Sequence, residues 1–218
     1  MDTQFQDRFC RLWERFAPGA DLPLAFFYTD AAGEEAVPPV VAGHHCMICD
    51  LARVRKGQAL RFDAGSFSCA GGKLYCGYAR ENMPDFEYFL SCGIPGRMEG
   101  ERYKQSPELV RRFVQHRQHA PAPAKYLVFK RWDKLEAADE PAVAIFFARP
   151  DVLSALFTLA NFDEEDPQAV IAPFCAGCGA VIQLPYLELQ SARPRAVLGL
   201  FDVSARPCVP ADVRSFAV

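Results

Sequence analysis

A mixed α/β fold, with an α+β arrangement as the alternative, is what this chain of 218 residues predicts. Three observations lead there. Short apolar runs of strand length alternate with stretches whose apolar residues recur at helical period. Hydrophobic residues make up 50% of the chain, the globular average, so a sizeable core can form and disorder is excluded. The 18 phenylalanines imply an aromatic core, and the 17 prolines imply many fixed turns between elements.

Residues Thr3 to Phe16 read as a helix, because Phe5, Phe9, Leu12, Trp13 and Phe16 form one stripe and Pro18-Gly19 ends it. Pro23 to Thr29 is aromatic, apolar and short, which favours a buried strand. Asp30 to Gly43, with Pro38 and Pro39, reads as a loop. His45 to Lys56 reads as a helix closed by Gly57 in the left-handed cap position, and Ala59 to Phe62 as a strand. Gly65 to Gly72 reads as a turn-rich loop holding Cys69, and Pro84 to Leu90 as a helical turn carrying Phe86 and Phe89. Ser106-Pro107-Glu108 opens a helix to about Arg117, with serine as cap and proline at the first position.

Ala120 to Ala124 is the best linker, so the single domain 1–218 divides into halves 1–119 and 125–218. Beyond it, Tyr126 to Lys130, Ala142 to Ala148 and Ala196 to Phe201 read as strands. A helix opens at Pro150-Asp151, and Pro173 to Gly179 is a second cysteine loop. The halves rhyme. Each has an apolar strand (Pro23 to Phe27, Pro141 to Phe147) and then a C-x-x-C pair, a pattern that suggests an old duplication.

With 24 basic and 27 acidic side chains the net charge is −3, which argues against a general nucleic-acid binder. No apolar run approaches the roughly 18 residues of a membrane helix, and the charged N-terminus lacks a signal core. These features predict a cytoplasmic protein that does not engage membranes. Nine cysteines is a high count for a reducing compartment, so the thiols are expected to be free, metal-bound or redox-active.

Cys46 and Cys49 lie three residues apart on one helix face, where they can grip one metal or form a reversible disulfide. Cys175-Ala-Gly-Cys178-Gly is a glycine-rich knuckle, and Cys69 is a fifth candidate. Soft thiolates suit zinc or an iron–sulfur cluster, and His44 and His45 stand by as further ligands or proton carriers. The plain alternative is that these cysteines fill space, as buried cysteine often does. Cys10 and Cys208 are expected to be structural.

Arg53, Arg55 and Lys56 close the helix before Gly57, where macrodipole complementation is the simplest role and an anion site the functional one. Cys69 to Gly72 can form a backbone nest for an anion. Glu99, Glu101, Arg102 and Lys104 read as a surface ion-pair patch. Walker, dinucleotide, G-x-S-x-G and H-E-x-x-H motifs are absent.

The string running from Cys46 through Ala52-Arg-Val-Arg-Lys-Gly57, Cys69-Ala-Gly-Gly72, Leu90-Ser-Cys-Gly-Ile-Pro-Gly-Arg-Met-Glu-Gly-Glu-Arg-Tyr-Lys104 and Ser106-Pro-Glu-Leu-Val110 resembles the DUF169, or ArCR, family. Gly177-Cys-Gly179, Pro185-Tyr-Leu-Glu188 and Gly199 to Pro207 extend the likeness to the end of the chain. The resemblance implies no activity, since that family is uncharacterised. It does imply that Cys46, Cys69 and Cys178 match family-typical cysteines, while Cys49 and Cys175 are extras.

The leading expectation is therefore a protein binding a metal ion or iron–sulfur cluster, with Cys46, Cys69 and Cys178 as ligands and Cys49, Cys175 or His45 in support. Three thiolates would leave an open coordination position. A second expectation is a small-molecule binder or enzyme with a cleft between the halves, holding an anionic ligand with Arg53, Arg102 and Arg206. A third is a thiol redox protein. The partners these imply are a small-molecule ligand and, as an open alternative, a second copy of the chain.

Overall fold

A computed structural model describes residues 1–31, 33–39, 43, 46–202 and 208–218. In chain order its elements begin with helix α1 (Thr3–Phe16), strand β1 (Leu24–Thr29), α2 (Met47–Arg55) and β2 (Leu60–Phe62). Three helices follow, α3 (Ala70–Tyr75), α4 (Phe86–Phe89) and α5 (Pro107–Gln115), before β3 (Tyr126–Arg131) and β4 (Val143–Ala148). Then come α6 (Pro150–Ala160), β5 (Val170–Ile171), a π-helical turn (Gly179–Gln183) running into α7 (Leu184–Glu188), β6 (Ala196–Gly199) and β7 (Arg214–Ala217).

The strands form one sheet in the order β2-β3-β1-β4-β7-β6-β5. Its pairings are antiparallel except for β5 with β6. The fold is thus a mixed α+β domain rather than an alternating α/β one, because a single parallel pair, β5 with β6, is joined through the π turn and α7 while the other pairings are antiparallel. The linker at Ala120 to Ala124 does not separate two sheets. β1 lies between β3 and β4, both from beyond it, and runs antiparallel to each. The two rhyming strands, β1 and β4, are direct neighbours.

Period-two alternation gives the sheet two apolar faces. Leu24, Phe26, Leu127, Phe129, Val143, Ile145 and Phe147 point into a core shared with α2, Tyr75, Cys76, Cys178 and the π turn. Ala25, Phe27, Val128, Phe146 and Phe216 point the other way, beneath Phe9 and Trp13 of α1 and Leu156 of α6. The expected bounds of α1 hold because its stripe is real. Phe9 and Trp13 each pack on Phe146, with ring centroids 6.5 and 5.1 Å away. Asp2 caps the helix by accepting the Gln4 N–H at 2.9 Å. Ser106 caps α5 in the predicted way, accepting the Leu109 N–H at 3.3 Å.

On the α1 side, every buried polar side chain named here has partners. Gln6 Nε2 donates to the carbonyls of Trp132 and Leu135 at 2.6 and 3.0 Å. Lys130, 1% exposed, sits on β3 between Asp139 and Glu35, each 2.9 Å from Nζ. Asp139 also accepts the Glu136 N–H at 2.7 Å.

Among the described residues no helix is long and apolar enough to cross a membrane.

Candidate functional site

The α2 side of the sheet contains a cavity of about 400 Å³, and four of the nine cysteines line it: Cys46, Cys69, Cys175 and Cys178. They come from three distant stretches, and the fold explains how each arrives. Cys46 is the N-cap of α2. Cys69 is the N-cap of α3, and its Sγ accepts the Gly72 N–H at 3.4 Å. This corrects the expected loop at Gly65 to Gly72: Ala70-Gly-Gly72 is the first turn of a helix, not an open nest. A side chain at position 72 would have its Cβ 3.2 Å from the Cβ of Met47, so the glycine lets α3 press against the start of α2. Cys69 is thereby carried towards Cys46.

Cys178 immediately precedes the π turn, and Cys175 lies in the segment leading to it. All five residues of the turn are buried. It sits directly on the sheet because β6 offers Gly199 beneath it. A Cβ there would collide with Ala180 and approach Ser215 Oγ to 2.9 Å. π turns are uncommon and often occur at functional sites. Beneath the cysteines, Cys76 is fully buried with its Sγ 3.3 Å from Met47 Sδ.

The electrostatics are those of dry thiols. Burial pushes Cys178 far above the usual thiol range, and the charges of Cys76, Cys69 and Cys46 add to it. Burial raises Cys175 to about 12, with a further push from Asp202. Burial also raises Cys46, while the N–H groups of Ile48 and Cys49 pull the other way. Such thiols stay protonated at neutral pH unless a cation replaces the proton. Among the described residues, no group of three or more His, Cys, Asp or Glu side chains is arranged to hold a metal ion.

Cys49 does not join the other four. It is bonded to Cys208 in a disulfide, with Cα atoms 4.7 Å apart, which ties α2 to the segment before β7. A disulfide sulfur is not a thiolate ligand. The expectation that all the thiols would be free, metal-bound or redox-active is corrected to that extent. Sequence separation hid the pair, since Cys49 and Cys208 meet only through the fold.

Among the described residues, Arg53 and Arg102 do not line the cavity. Arg53 donates to Gln58 Oε1 at 2.9 Å on the outside of α2, and Arg102 adopts a left-handed φ of 58° in its loop. Arg206, His44 and His45 lie outside the described residues. The cavity's ionisable oxygens belong instead to Glu101 and Asp202, with Tyr75 and Tyr103 also in its wall. Glu101 is thus a cavity residue rather than part of a surface ion-pair patch. Its neighbour Lys104 packs its Nζ 4.5 and 4.2 Å from the ring centroids of Phe113 and Phe174.

Reading the sequence also missed the aromatic part of the cavity wall. Phe86, Phe89, Phe113 and Phe174 contribute to it. The signal available was the pair Phe86 and Phe89, both left on one short helix with no strand or long helix to absorb them.

No curated protein and no solved structure matches the chain. The model of one family does match, over residues 21–218, and the chain belongs to that family, DUF169, described as uncharacterised ArCR.

Proposed function

We propose that this protein binds an iron–sulfur cluster in the cavity, with Cys46, Cys69 and Cys178 as thiolate ligands and Cys175 in support. One observation carries the reading: four cysteines from three remote stretches line a single cavity. Space-filling cysteines have no reason to gather around a void. A single zinc ion is the weaker alternative. Sulfurs on one zinc stand roughly 3.8 Å apart, as follows from Zn–S bonds of about 2.3 Å in a tetrahedron. No described group has an arrangement suited to one ion, whereas a multi-iron cluster accepts more widely spaced thiolates. A bound cluster would also supply the positive charge that the buried thiols need in order to deprotonate.

The test is isolation without oxygen, followed by reconstitution with ferrous iron and sulfide. The expected result is stoichiometric iron and acid-labile sulfide with visible iron–thiolate absorption. Cys69→Ala and Cys178→Ala should each lose most of both, and Cys92→Ala, at an exposed cysteine, should lose neither. Colourless, iron-free protein after reconstitution would end the reading.

A second reading, thiol–disulfide exchange, is favoured by the C-x-x-C at the start of α2, whose second cysteine already forms a disulfide. It requires Cys46 to attack Cys49, forming Cys46–Cys49 and releasing Cys208 as thiol. Peptide mapping that never finds a Cys46–Cys49 bond, even in denatured-trapped samples, would remove it.

A further inference from the structure

On the side of the sheet away from the cysteines, α1 and α6 leave one end uncovered. Phe9 and Trp13 of α1 and Leu153 and Leu156 of α6 join one apolar cluster with Phe146 and Phe216. Val218 exchanges both backbone hydrogen bonds with Ala144, at 2.7 and 2.9 Å, and by period two it faces the same way as Phe216. Yet Val218 is 48% exposed and Ala144 only half-buried. α6 starts straight after β4 and packs back towards Ala196, which the β6–β7 register puts beside Val218. The C-terminal end of α6 therefore lies towards that uncovered end. There Phe157 and Leu159 are exposed, and Phe162, just beyond the helix, is 82% exposed. α1 adds a strip of its own. Phe5, Leu12 and Phe16 recur at i, i+7 and i+11, beside the face that buries Phe9, and all three are exposed. Six of the ten large hydrophobic side chains exposed among the described residues thus belong to these two helices and the turn after α6. Apolar surface gathered in this way marks a contact face.

The charges say what covers it. Arg8 stands three residues from Phe5 and four from Leu12, hence beside both, and the Arg15 guanidinium lies 5.3 Å from the centre of the Phe16 ring. The α1 strip is thus edged with positive charge. Phe162 is followed by Asp163, Glu164, Glu165 and Asp166, and Arg193 pairs with Glu164 and Asp166 alone. Among the described residues, Arg8, Asp163 and Glu165 are exposed and form no ion pair. Each apolar strip therefore carries the charge that the other lacks. We propose that the chain forms a two-fold dimer through this face, with α1 of one copy against the C-terminal end of α6 and Val218 of the other. A two-fold contact makes the same match twice, because whatever α1 meets on the second copy is met in return. An anionic membrane attracts the arginines but repels Asp163 and Glu165, so it fits the face less well. The proposal is independent of what the cavity binds.

The experiment is analytical ultracentrifugation of the full chain at micromolar concentration, with circular dichroism to show that each variant is folded. The native chain should sediment at twice the mass of one copy. Phe162→Glu, at a ring that the single copy barely buries, should weaken association by about tenfold or more. Reversing the charges on α1 (Arg8→Glu with Arg15→Glu) should weaken it about tenfold, as should reversing those after α6 (Asp163→Lys with Glu165→Lys). Combining the two sets should restore most of the loss, which neither a folding defect nor a contact through another face would do. A chain that stays monomeric, a dimer indifferent to Phe162→Glu, or charge reversals that add instead of cancelling would overturn the inference. So would a monomer that floats with vesicles containing phosphatidylserine, which would assign the face to a lipid surface.

Discussion

The two faces of the sheet bury polar atoms in opposite ways. Under α1, Lys130 and Gln6 are enclosed with all their main partners supplied by the protein. Under α2, Cys46, Cys69, Cys175 and Cys178 line an open volume. A buried ammonium without partners is expensive, so the first face must be closed for the domain to fold. A buried thiol behaves as a small hydrophobe and costs little when left unpaired, so the second face can afford a void.

The largest expected effect tests the closed face. Asp139→Ala should cost about 3 kcal/mol in urea unfolding, the lower end of the range for a stranded buried charge because Glu35 remains 2.9 Å from Nζ. The double change Lys130→Met with Asp139→Leu should recover most of that loss. A cost below about 1 kcal/mol for the single variant would break the comparison. Next comes the disulfide on the open face. Thiol titration of denatured protein should find seven cysteines before reduction and nine after it. Reduction should lower stability by about 2–4 kcal/mol, since the bond closes a sequence separation of 159 residues.

A smaller effect is expected where the π turn meets the sheet. Gly199→Ala forces a methyl group against Ala180 and should cost about 1–3 kcal/mol while reducing iron uptake, because it shifts the segment that carries Cys178. Retained iron with lost stability would separate packing from the site.

The smallest effect is the pH dependence, and it differs in sign between the faces. In metal-free protein, the Cys175 and Cys178 thiols are raised above the ordinary value of 9.0, chiefly by burial. The unfolded chain therefore releases these protons first. Their contribution is intact below about pH 9 and falls as pH rises beyond it. Glu35 is held below its ordinary 4.5 by its hydrogen bond from Lys130. Its contribution is present above that value and falls with acidification. Cys175→Ala with Cys178→Ala should flatten the stability curve between pH 9 and 10, and Glu35→Gln should flatten its acid limb. Unfolding curves that show either change on the wrong limb would contradict the assignment.

Much of the closed face was legible beforehand. The bounds of α1 and the cores of β1, β3 and β4 follow from apolar spacing, which tertiary packing here reinforces. The open face was legible only as a set of residue types. Cys46, Cys69, Cys175 and Cys178 could be named, but their meeting could not, since it depends on glycine contacts between remote segments. α3 was hidden because Ala70-Gly-Gly72 has poor helix propensity, and packing against Met47 overrides it. The helix beyond Cys178 was hidden because glycines and a proline at position 185 read as punctuation. β7 was missed because four residues are too few for a period to show. Arg53 and Arg102 do not line this cavity, and local charge density says nothing about which way a loop turns.

The turn at Gly179–Gln183 contains one residue more than an α-helical path would need. Each residue of an α-helix advances the chain by about 100° and 1.5 Å. Losing a single codon there would let the helix rewind into ordinary phase and swing Cys178 by about that angle, turning it away from its companions while leaving the sheet beneath almost unchanged. One inserted residue is thus enough to separate a chain that gathers its sulfurs from one that merely contains them.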